Sequence, residues 1–365
     1  MSCIFDIAVV GAGPAGASAA ISAAQNGQRV LLLEAGNFPR HKVCGEFVSA
    51  EALELVEKLL ASDSLVKAAP RISVARMFVD GRLVEFPVRP AAASISRYDL
   101  DLAFWRAARA QGVECRAETR VQAVRRVPSG AFSIETQAMD FAARAVINAT
   151  GRWSNLSATV AALGQPRSIG LKAHFFEAGA TPSCNLYFFD GGYCGVQPIA
   201  PNMVNVSAMV RAEVARTLEG VFAQNPRLQE RSLAWSPAAP RVSTAPLIFR
   251  ETTTSLDGVL LCGDAAAFID PFAGDGISMA LHSGSLAAAS LNLFLRGDIS
   301  LEGAIKHYAE RHRTMLQPAL RNAVQLRRLL HLPRLVRGAA LSLMSLSPIA
   351  RLAVHQTRAR TSEAA

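Results

Sequence analysis

The feature that most constrains this chain is a glycine-rich turn between two short apolar runs near its start. Residues 5–10 form the first run, and residues 11–16 supply three glycines before an alanine-rich stretch. The second run, residues 29–33, ends in Glu34. A strand, a glycine turn, a helix, a strand and an acid in this order are typical of a dinucleotide-binding βαβ unit.

Each residue type in this turn has a physical role in binding a dinucleotide. Gly11 permits the tight turn, Gly13 lets the backbone approach a pyrophosphate, and Gly16 allows the helix to pack closely on the strand. Ala15 belongs to the same turn, whose helix offers free N–H groups to phosphates. Glu34 can accept hydrogen bonds from ribose hydroxyls. The motif alone leaves open which dinucleotide is bound.

A second motif far along the chain narrows that choice. Gly263 and Asp264 follow an apolar run, and a predicted long helix begins near Gly276, two residues after Gly274. A carboxylate at 264 can bind a ribityl hydroxyl, and the glycine-bearing helix start can face the pyrimidine edge of a flavin.

The order of predicted elements indicates an α/β chain with two domains. Helices are predicted at 50–60, 99–111 and 276–295, and a hairpin at 72–88 around an Asp-Gly turn. A strand-rich block interrupts the alternation, which predicts an inserted, mostly antiparallel substrate domain. The predicted ranges are 1–70, 91–165 and 251–300 for a discontinuous nucleotide-binding domain, 71–90 and 166–250 for the substrate domain, and 301–365 for a basic helical segment.

Composition and charge exclude several classes of protein. Among 365 residues, 50% are hydrophobic and 18% charged, which indicates a folded chain with a sizeable core. The net charge of +9 lies in residues 306–365, which hold eleven bases and two acids, so the main body is neutral and a nucleic-acid surface on it is not expected. The basic segment fits either peripheral contact with an anionic membrane or a packed helix with a solvated face.

Cysteine and histidine spacing bears on location and metal binding. The six cysteines form no C-x-x-C pair, and the first residues lack the basic region of a signal peptide, so a cytoplasmic protein is expected, peripheral to a membrane if its basic segment makes the membrane contact described above. The seven histidines have no metal-ligand spacing, and no metal site is predicted.

Taken together, these motifs resemble FAD enzymes of the geranylgeranyl reductase type. That family belongs to a wider superfamily with p-hydroxybenzoate hydroxylase and the flavin-dependent halogenases. The pieces that match, in chain order, are the glycine turn with Glu34, the loop Pro-Arg-His-Lys-Val-Cys-Gly-Glu at 39–46, Arg97 with Asp101, Ala-Thr-Gly at 149–151, and Gly263-Asp264 with the Asp-Pro and Gly-Asp-Gly-Ile stretch at 270–277.

The resemblance implies a Rossmann-type FAD domain and assigns residues to parts of the cofactor. Glu34 would bind the adenosine ribose, Asp264 the ribityl chain, and Arg97 would lie near the phosphates. The residues expected along the isoalloxazine are Gly274, Asp275, Gly276 and Ile277. Those expected on a loop near the flavin are Arg40, Lys42 and Cys44.

Four residues are candidates for the substrate side. The Cys44 thiol is either a local acid or packing, and we expect Glu46 to pair with a base in its own loop. His174 either lines a pocket or is satisfied in the interior. Tyr193 stands where relatives carry an aromatic-rich stretch, but the Trp and Phe of that stretch are missing here, which weakens the case for an isoprenoid substrate. The halogenase Trp-x-Trp signature is also absent.

Three functions remain open at this stage. The first is hydride transfer from reduced flavin to a C=C bond of a small apolar or aromatic metabolite. The second is hydroxylation by an FAD-dependent monooxygenase with NAD(P)H and O2, and the third is a flavin-binding protein without turnover. Because no second Rossmann glycine motif exists, NAD(P)H would bind transiently or a protein donor would deliver the electrons.

Overall fold

The structure is a computed structural model that describes residues 4–152, 156, 168–244, 247, 252–268 and 274–321. Strands, helices and contacts refer to this part of the chain. The expected membrane-binding segment falls largely in residues 322–365 and lies outside it, as does the Asp-Pro pair at 270–271.

Strands and helices alternate in the first third of the chain, and strands dominate the middle. The described strands are β1 (Phe5–Val10), β2 (Val30–Leu33), β3 (Phe47–Val48), β4 (Arg71–Val79), β5 (Arg82–Ser94), β6 (Glu114–Arg116), β7 (Val121–Arg126), β8 (Phe132–Thr136), β9 (Phe141–Asn148), β10 (Ser168–Phe176), β11 (Ser183–Phe189), β12 (Gly192–Ala200), β13 (Met203–Arg211), β14 (Ser236–Pro237), β15 (Val242–Ser243), β16 (Ser255–Leu256) and β17 (Val259–Leu261). The described helices are α1 (Pro14–Gln25), α2 (Ala50–Leu60), α3 (Ser64–Ala68), α4 (Arg97–Ala110), α5 (Leu218–Phe222), α6 (Pro226–Ser232), α7 (Gly276–Leu295) and α8 (Leu301–Met315), with a 3-10 turn at Gly263–Ala265.

The first sheet has a parallel centre. β1 lies between β2 and β9 and runs parallel to both, while β6 extends the sheet beyond β2 and β17 extends it beyond β9. Apart from Phe5 and Asp6 at the start of β1, β1 and β2 are runs of Val, Ile, Leu and Ala, all buried, as expected for strands covered on both faces. Because these strands are parallel, their carboxyl ends share one edge, where folds of this type bind ligands.

Helix α7 packs on α1, which brings the C-terminal glycine segment close to the N-terminal glycine turn. A Cβ added at Gly284 of α7 would lie 2.0 Å from the carbonyl oxygen of Ala15, so the two helices approach closely enough to require glycine. The Ser18 hydroxyl also donates to the Leu281 carbonyl at 2.7 Å. The helix start near 276 is therefore fixed against the N-terminal glycine turn.

The second sheet is mostly antiparallel and has two different faces. Its order is β14-β10-β13-β12-β11-β4-β5-β3, with β15 on β10 and one parallel pairing, β11 with β4, among the described pairs. On one face, Leu171, Val206 and Val196 form an apolar layer covered by α5 and α6. The opposite face carries polar residues of β10, β12 and β13 and contacts the loop before β3.

The structure confirms the predicted fold class and several local elements. The helices at 50–60 and 276–295 and the hairpin around Asp80 lie as expected. Helix α4 begins at Arg97, two residues earlier than predicted, because the Ser96 hydroxyl caps it by accepting the Asp99 N–H at 3.0 Å.

The predicted domain boundaries stay a prediction. β3 and the end of β5 belong to the second sheet, although residues 47–48 and 91–94 were expected with the nucleotide-binding domain. Within the described ranges, no helix is both long and apolar enough to cross a membrane.

Candidate active site

The carboxyl edge of the first sheet brings together residues that are far apart in the sequence. Gly11 follows β1, Glu34 follows β2, Arg152 lies shortly after β9, and Gly263 and Asp264 follow β17. All four strands are parallel, so these residues share one cleft edge. The two motifs that the sequence predicts to bind the cofactor, the turn at 11–16 and Gly263-Asp264, therefore lie at this edge.

The three glycines of the N-terminal turn differ in what surrounds them. Gly11 has a φ of +98°, and a Cβ there would lie 2.4 Å from the Ala149 carbonyl oxygen. A Cβ on Gly16 would lie 1.8 Å from the Gly11 carbonyl oxygen. A Cβ on Gly13 would meet, within 4 Å, the Arg97 guanidinium at 3.6 Å and no other described atom.

The space beside Gly13 fits a pyrophosphate. It lies at the N-terminus of α1, where free N–H groups and the helix dipole favour an anion. A guanidinium faces it from the other side. The residues present therefore fit the FAD that the sequence predicts.

Glu34 is buried and accepts three hydrogen bonds at the end of β2. Its Oε2 accepts the Ala12 N–H at 2.9 Å, and its Oε1 accepts the Gly36 N–H at 2.9 Å and an Arg40 N–H at 2.6 Å. Burial opposes ionisation, but Arg40 and the two backbone N–H groups outweigh it and lower the pKa of Glu34 to about 2. The side chain is thus a fixed anion beside the glycine turn, suited to accept ribose hydroxyls.

Arg40 is held by two contacts at the start of the loop. It forms an ion pair with Glu34, and its guanidinium lies over the Phe38 ring, 4.6 Å from the ring centroid. Its expected place near the flavin stays a prediction, and the ion pair puts it beside the carboxylate that the sequence assigns to the ribose.

The turn that contains Gly263 and Asp264 packs directly on α1. Gly263 has a φ of +59°, and a Cβ there would lie 2.9 Å from the Ala15 Cβ. Asp264 in the same 3-10 turn lies 3.7 Å from the Arg152 guanidinium. Burial lowers the pKa of Arg152, while the carboxyl of Asp264 and the sulfur of Cys44 oppose that shift.

Arg97 connects the phosphate side of the site to the loop at 44–46. Its guanidinium holds Asp101 with two hydrogen bonds of 2.6 and 2.7 Å, one turn along α4. Burial disfavours its charge, but Asp101 and, to a smaller extent, the Cys44 sulfur outweigh burial and raise the pKa of Arg97. The backbone N–H of Arg97 donates to Glu46 Oε1 at 2.7 Å.

Cys44 is half-buried beside two guanidinium groups. Its sulfur accepts the Glu46 N–H at 3.3 Å and interacts with the side chains of Arg97 and Arg152. The sulfur thus lies in a cationic part of the site, and both roles that the sequence left open for the thiol, local acid or packing, stay predictions.

Glu46 is fully buried and does not pair with a base of its own loop. Its carboxylate forms an ion pair with Lys172 and a 2.8 Å contact with His174 Nε2, both on β10. Burial works against the charge, but His174 and Lys172 outweigh it and lower the pKa of Glu46. The expected local pairing is wrong because the second sheet supplies a lysine 126 residues away. His174 is an interior residue with a partner.

The C-terminal glycine segment lies over the same loop. Gly274 has a φ of +78°, and a Cβ there would lie 3.1 Å from the Phe47 ring. Asp275 and Ile277 are buried, and α7 begins at Gly276. The segment expected along the isoalloxazine thus adjoins the residue that follows Glu46.

Tyr193 lies on the face of the second sheet that carries Lys172 and His174. It is opposite Met209 in the β12–β13 register and packs with Met209, Leu247 and Phe268. Phe268 in turn lies under the Arg152 guanidinium, 4.5 Å from its ring centroid. An apolar patch therefore adjoins the Arg152 end of the site.

Comparison with known proteins decides the family. A family model described as FAD dependent oxidoreductase matches residues 6–170. The chain is 30% identical over 329 residues to digeranylgeranylglycerophospholipid reductase 1 of Methanopyrus kandleri, covering 84% of this chain and 85% of that protein. The chain belongs to the geranylgeranyl reductase family of FAD-dependent oxidoreductases. It is an enzyme of that class with FAD as its cofactor.

Other members and neighbours of this reductase family are similar along most of the chain. Menaquinone reductase of Mycolicibacterium smegmatis is 26% identical over 339 residues, 86% of this chain and 80% of that protein. A geranylgeranyl bacteriochlorophyll reductase-like protein of Thermoplasma acidophilum has a TM-score of 0.80 at 19% identity, covering 97% and 95% of the two chains. The flavin-dependent brominase Bmp2 has a TM-score of 0.82 at 20% identity, covering 97% and 93%, which shows a shared fold.

Sequence reasoning missed Lys172, Asn205 and the side chain of Arg152 in this reductase site. Asn205 Nδ2 donates to the carbonyls of Cys44 and Gly45 at 3.1 and 2.9 Å. One signal was available: Lys172 and His174 alternate with apolar residues in a strand-like run, which puts both on one face. Nothing in the run indicates that this face meets residues 44–46.

Proposed function

We propose that this enzyme reduces a carbon–carbon double bond of an apolar substrate. Reduced FAD, when bound, supplies the hydride for one carbon of the double bond. The neighbouring carbon must gain a proton, which the protein has to deliver. The electrons enter from NAD(P)H or a protein donor, since the chain has no second glycine motif for a resident nicotinamide.

The position of Cys44 carries this proposal. The loop that carries Cys44 continues into Phe47, whose ring lies 3.1 Å from where a Cβ on Gly274 would be, at the start of the segment assigned to the flavin. The Glu46 N–H donates to the Cys44 sulfur, and the side chains of Arg97 and Arg152 interact with it. We assign proton delivery to Cys44 because its thiol is the proton-bearing side chain that this loop holds beside that segment.

The apolar character of the substrate is inferred from the second sheet. Tyr193 and Phe188 are opposite each other with ring centroids 5.6 Å apart, and Leu186, two residues along β11, is opposite Met77 in the β11–β4 register and packs against the apolar cluster that contains Met77. These residues share the face that carries Lys172. A substrate that lay along this face would exchange water for apolar contacts.

The experiment compares products with and without oxygen. The purified holoenzyme is reduced with NADH, NADPH or dithionite under nitrogen and mixed, in separate reactions, with a polyprenyl alcohol and with small aromatic metabolites that carry a C=C bond. A product that has gained hydrogen atoms, with little of it from a Cys44→Ala variant of equal FAD content, supports the proposal. Substrate-dependent O2 uptake with one added oxygen atom would indicate a monooxygenase, and flavin reduction without any product would indicate a binding protein.

A further inference from the structure

Three polar residues of the second sheet converge on the short loop before β3. Lys172 and His174 lie on β10, and Asn205 lies on β13 directly opposite His174. Their relative exposures are 1%, 4% and 1%, so all three are removed from solvent. We call these three residues the buried clamp.

The buried clamp contacts each residue of the loop at 44–46. Lys172 and His174 hold the two carboxylate oxygens of Glu46, and the Asn205 amide donates to the carbonyls of Cys44 and Gly45. From the other side, the Arg97 N–H donates to Glu46 Oε1 and the Ile95 N–H donates to the Glu46 carbonyl at 3.0 Å. The loop is therefore fixed both by the buried clamp and by the segment that joins β5 to α4.

The backbone of the loop needs such support. Glu46 has a φ of +60°, a left-handed conformation that is costly for a residue with a side chain. Such conformations persist where the surroundings over-determine them. Here the result is a turn in which the Glu46 N–H points at the Cys44 sulfur.

We infer that Lys172, His174 and Asn205 are positioning residues that hold the Cys44 thiol against Arg97. They act through the loop, and none of them needs to touch the substrate. The role of Cys44 as proton donor rests on the proposed function, whereas the placement of its thiol by the buried clamp is a separate claim. The two claims can therefore fail separately.

The reactivity of Cys44 measures the placement directly. We would follow alkylation of the holoenzyme by iodoacetamide at fixed pH, residue by residue, by peptide mass spectrometry. Asn205→Ala removes two hydrogen bonds without leaving a buried charge. The two bonds together correspond to about 2 kcal/mol, so loop opening and the alkylation rate of Cys44 are expected to rise about thirtyfold.

Matched controls separate this effect from general loosening. Lys306→Met removes an exposed lysine that pairs with Glu302 on α8, and it should leave Cys44 alkylation unchanged. The buried thiols of Cys194 and Cys262 report global opening, and their rates should not follow that of Cys44. If Lys172→Met does not fold, Asn205→Ala still tests the inference, and Asn205→Leu, which keeps the size of the side chain but cannot donate, should behave like it.

Enzyme kinetics test the link to catalysis. On a substrate that the wild-type enzyme reduces, Asn205→Ala is expected to lower kcat about tenfold with little change in KM and FAD content. Cys44 alkylation at the control rate in both Asn205 variants would overturn the inference, whatever the activity. Faster alkylation with no substrate reduced by the wild-type enzyme would uphold the clamp and count against the proposed function alone.

Discussion

Replacement of Glu34 by Gln is expected to destabilise the protein by an amount that the structure sets. The pKa of Glu34 falls from its ordinary value of 4.5 to about 2, so the folded state prefers the ionised carboxylate by about 3 kcal/mol. Gln resembles the protonated form of the carboxyl group. Its NH2 group would face one of the two backbone N–H groups that now donate to the carboxylate, so two donors would oppose each other. Glu34→Gln should therefore lower the free energy of unfolding by about 3 kcal/mol at pH 7.

The pH dependence distinguishes lost charge from general disruption. A lowered pKa in the folded state stabilises above pH 4.5, and this stabilisation disappears as the pH falls towards 2. In urea unfolding of the FAD-free protein, followed by intrinsic fluorescence, the difference between wild type and variant should shrink by about half at pH 3. Glu135→Gln, which breaks the exposed pair with Arg125, should cost under about 1 kcal/mol. An equal loss for Glu34→Gln at pH 7 and pH 3 would refute the reasoning.

Two further predictions concern the glycine turn and the ion pair behind Cys44. Gly16→Ala should abolish FAD binding because its Cβ would lie 1.8 Å from the Gly11 carbonyl oxygen. Binding is measured by flavin absorbance after gel filtration. Retention of bound flavin would show that the backbone of the turn can shift to accept the Cβ. Lys172→Met should lower the free energy of unfolding in urea by about 3–5 kcal/mol because it leaves Glu46 charged and buried. The Lys172→Met/Glu46→Gln double variant should lose less stability than the sum of the two single variants. Additive losses would show that the two side chains are not energetically coupled.

The parts of the fold that local sequence determines could be predicted. The βαβ unit follows from apolar runs around three glycines, and the hairpin follows from Asp80 and Gly81, which both adopt positive φ. Helix α7 follows from a run of small and apolar residues after Gly276. Each of these elements is set by residues within about twenty positions of one another.

The missed parts of the site depend on contacts between distant segments. Glu46 reads as a loop carboxylate next to Lys42 and Arg40, yet its partner is on β10. The approach of Lys172 and His174 to this loop depends on how the second sheet brings β10 close to the residues before β3, which no local pattern encodes. The ion pair of Arg40 with Glu34 likewise could not be predicted from the resemblance, which assigns Arg40 only to a loop near the flavin.

The central claim is that one FAD is held between the turn at 11–16 and the turn at 263–265, at opposite ends of the sequence. The most direct measurement is the flavin content of the purified protein, released by denaturation and identified by chromatography. The account predicts yellow protein with about one FAD per chain, and a much lower FAD affinity in an Asp264→Ala variant. A natively folded but colourless protein that takes up no FAD on reconstitution would contradict it.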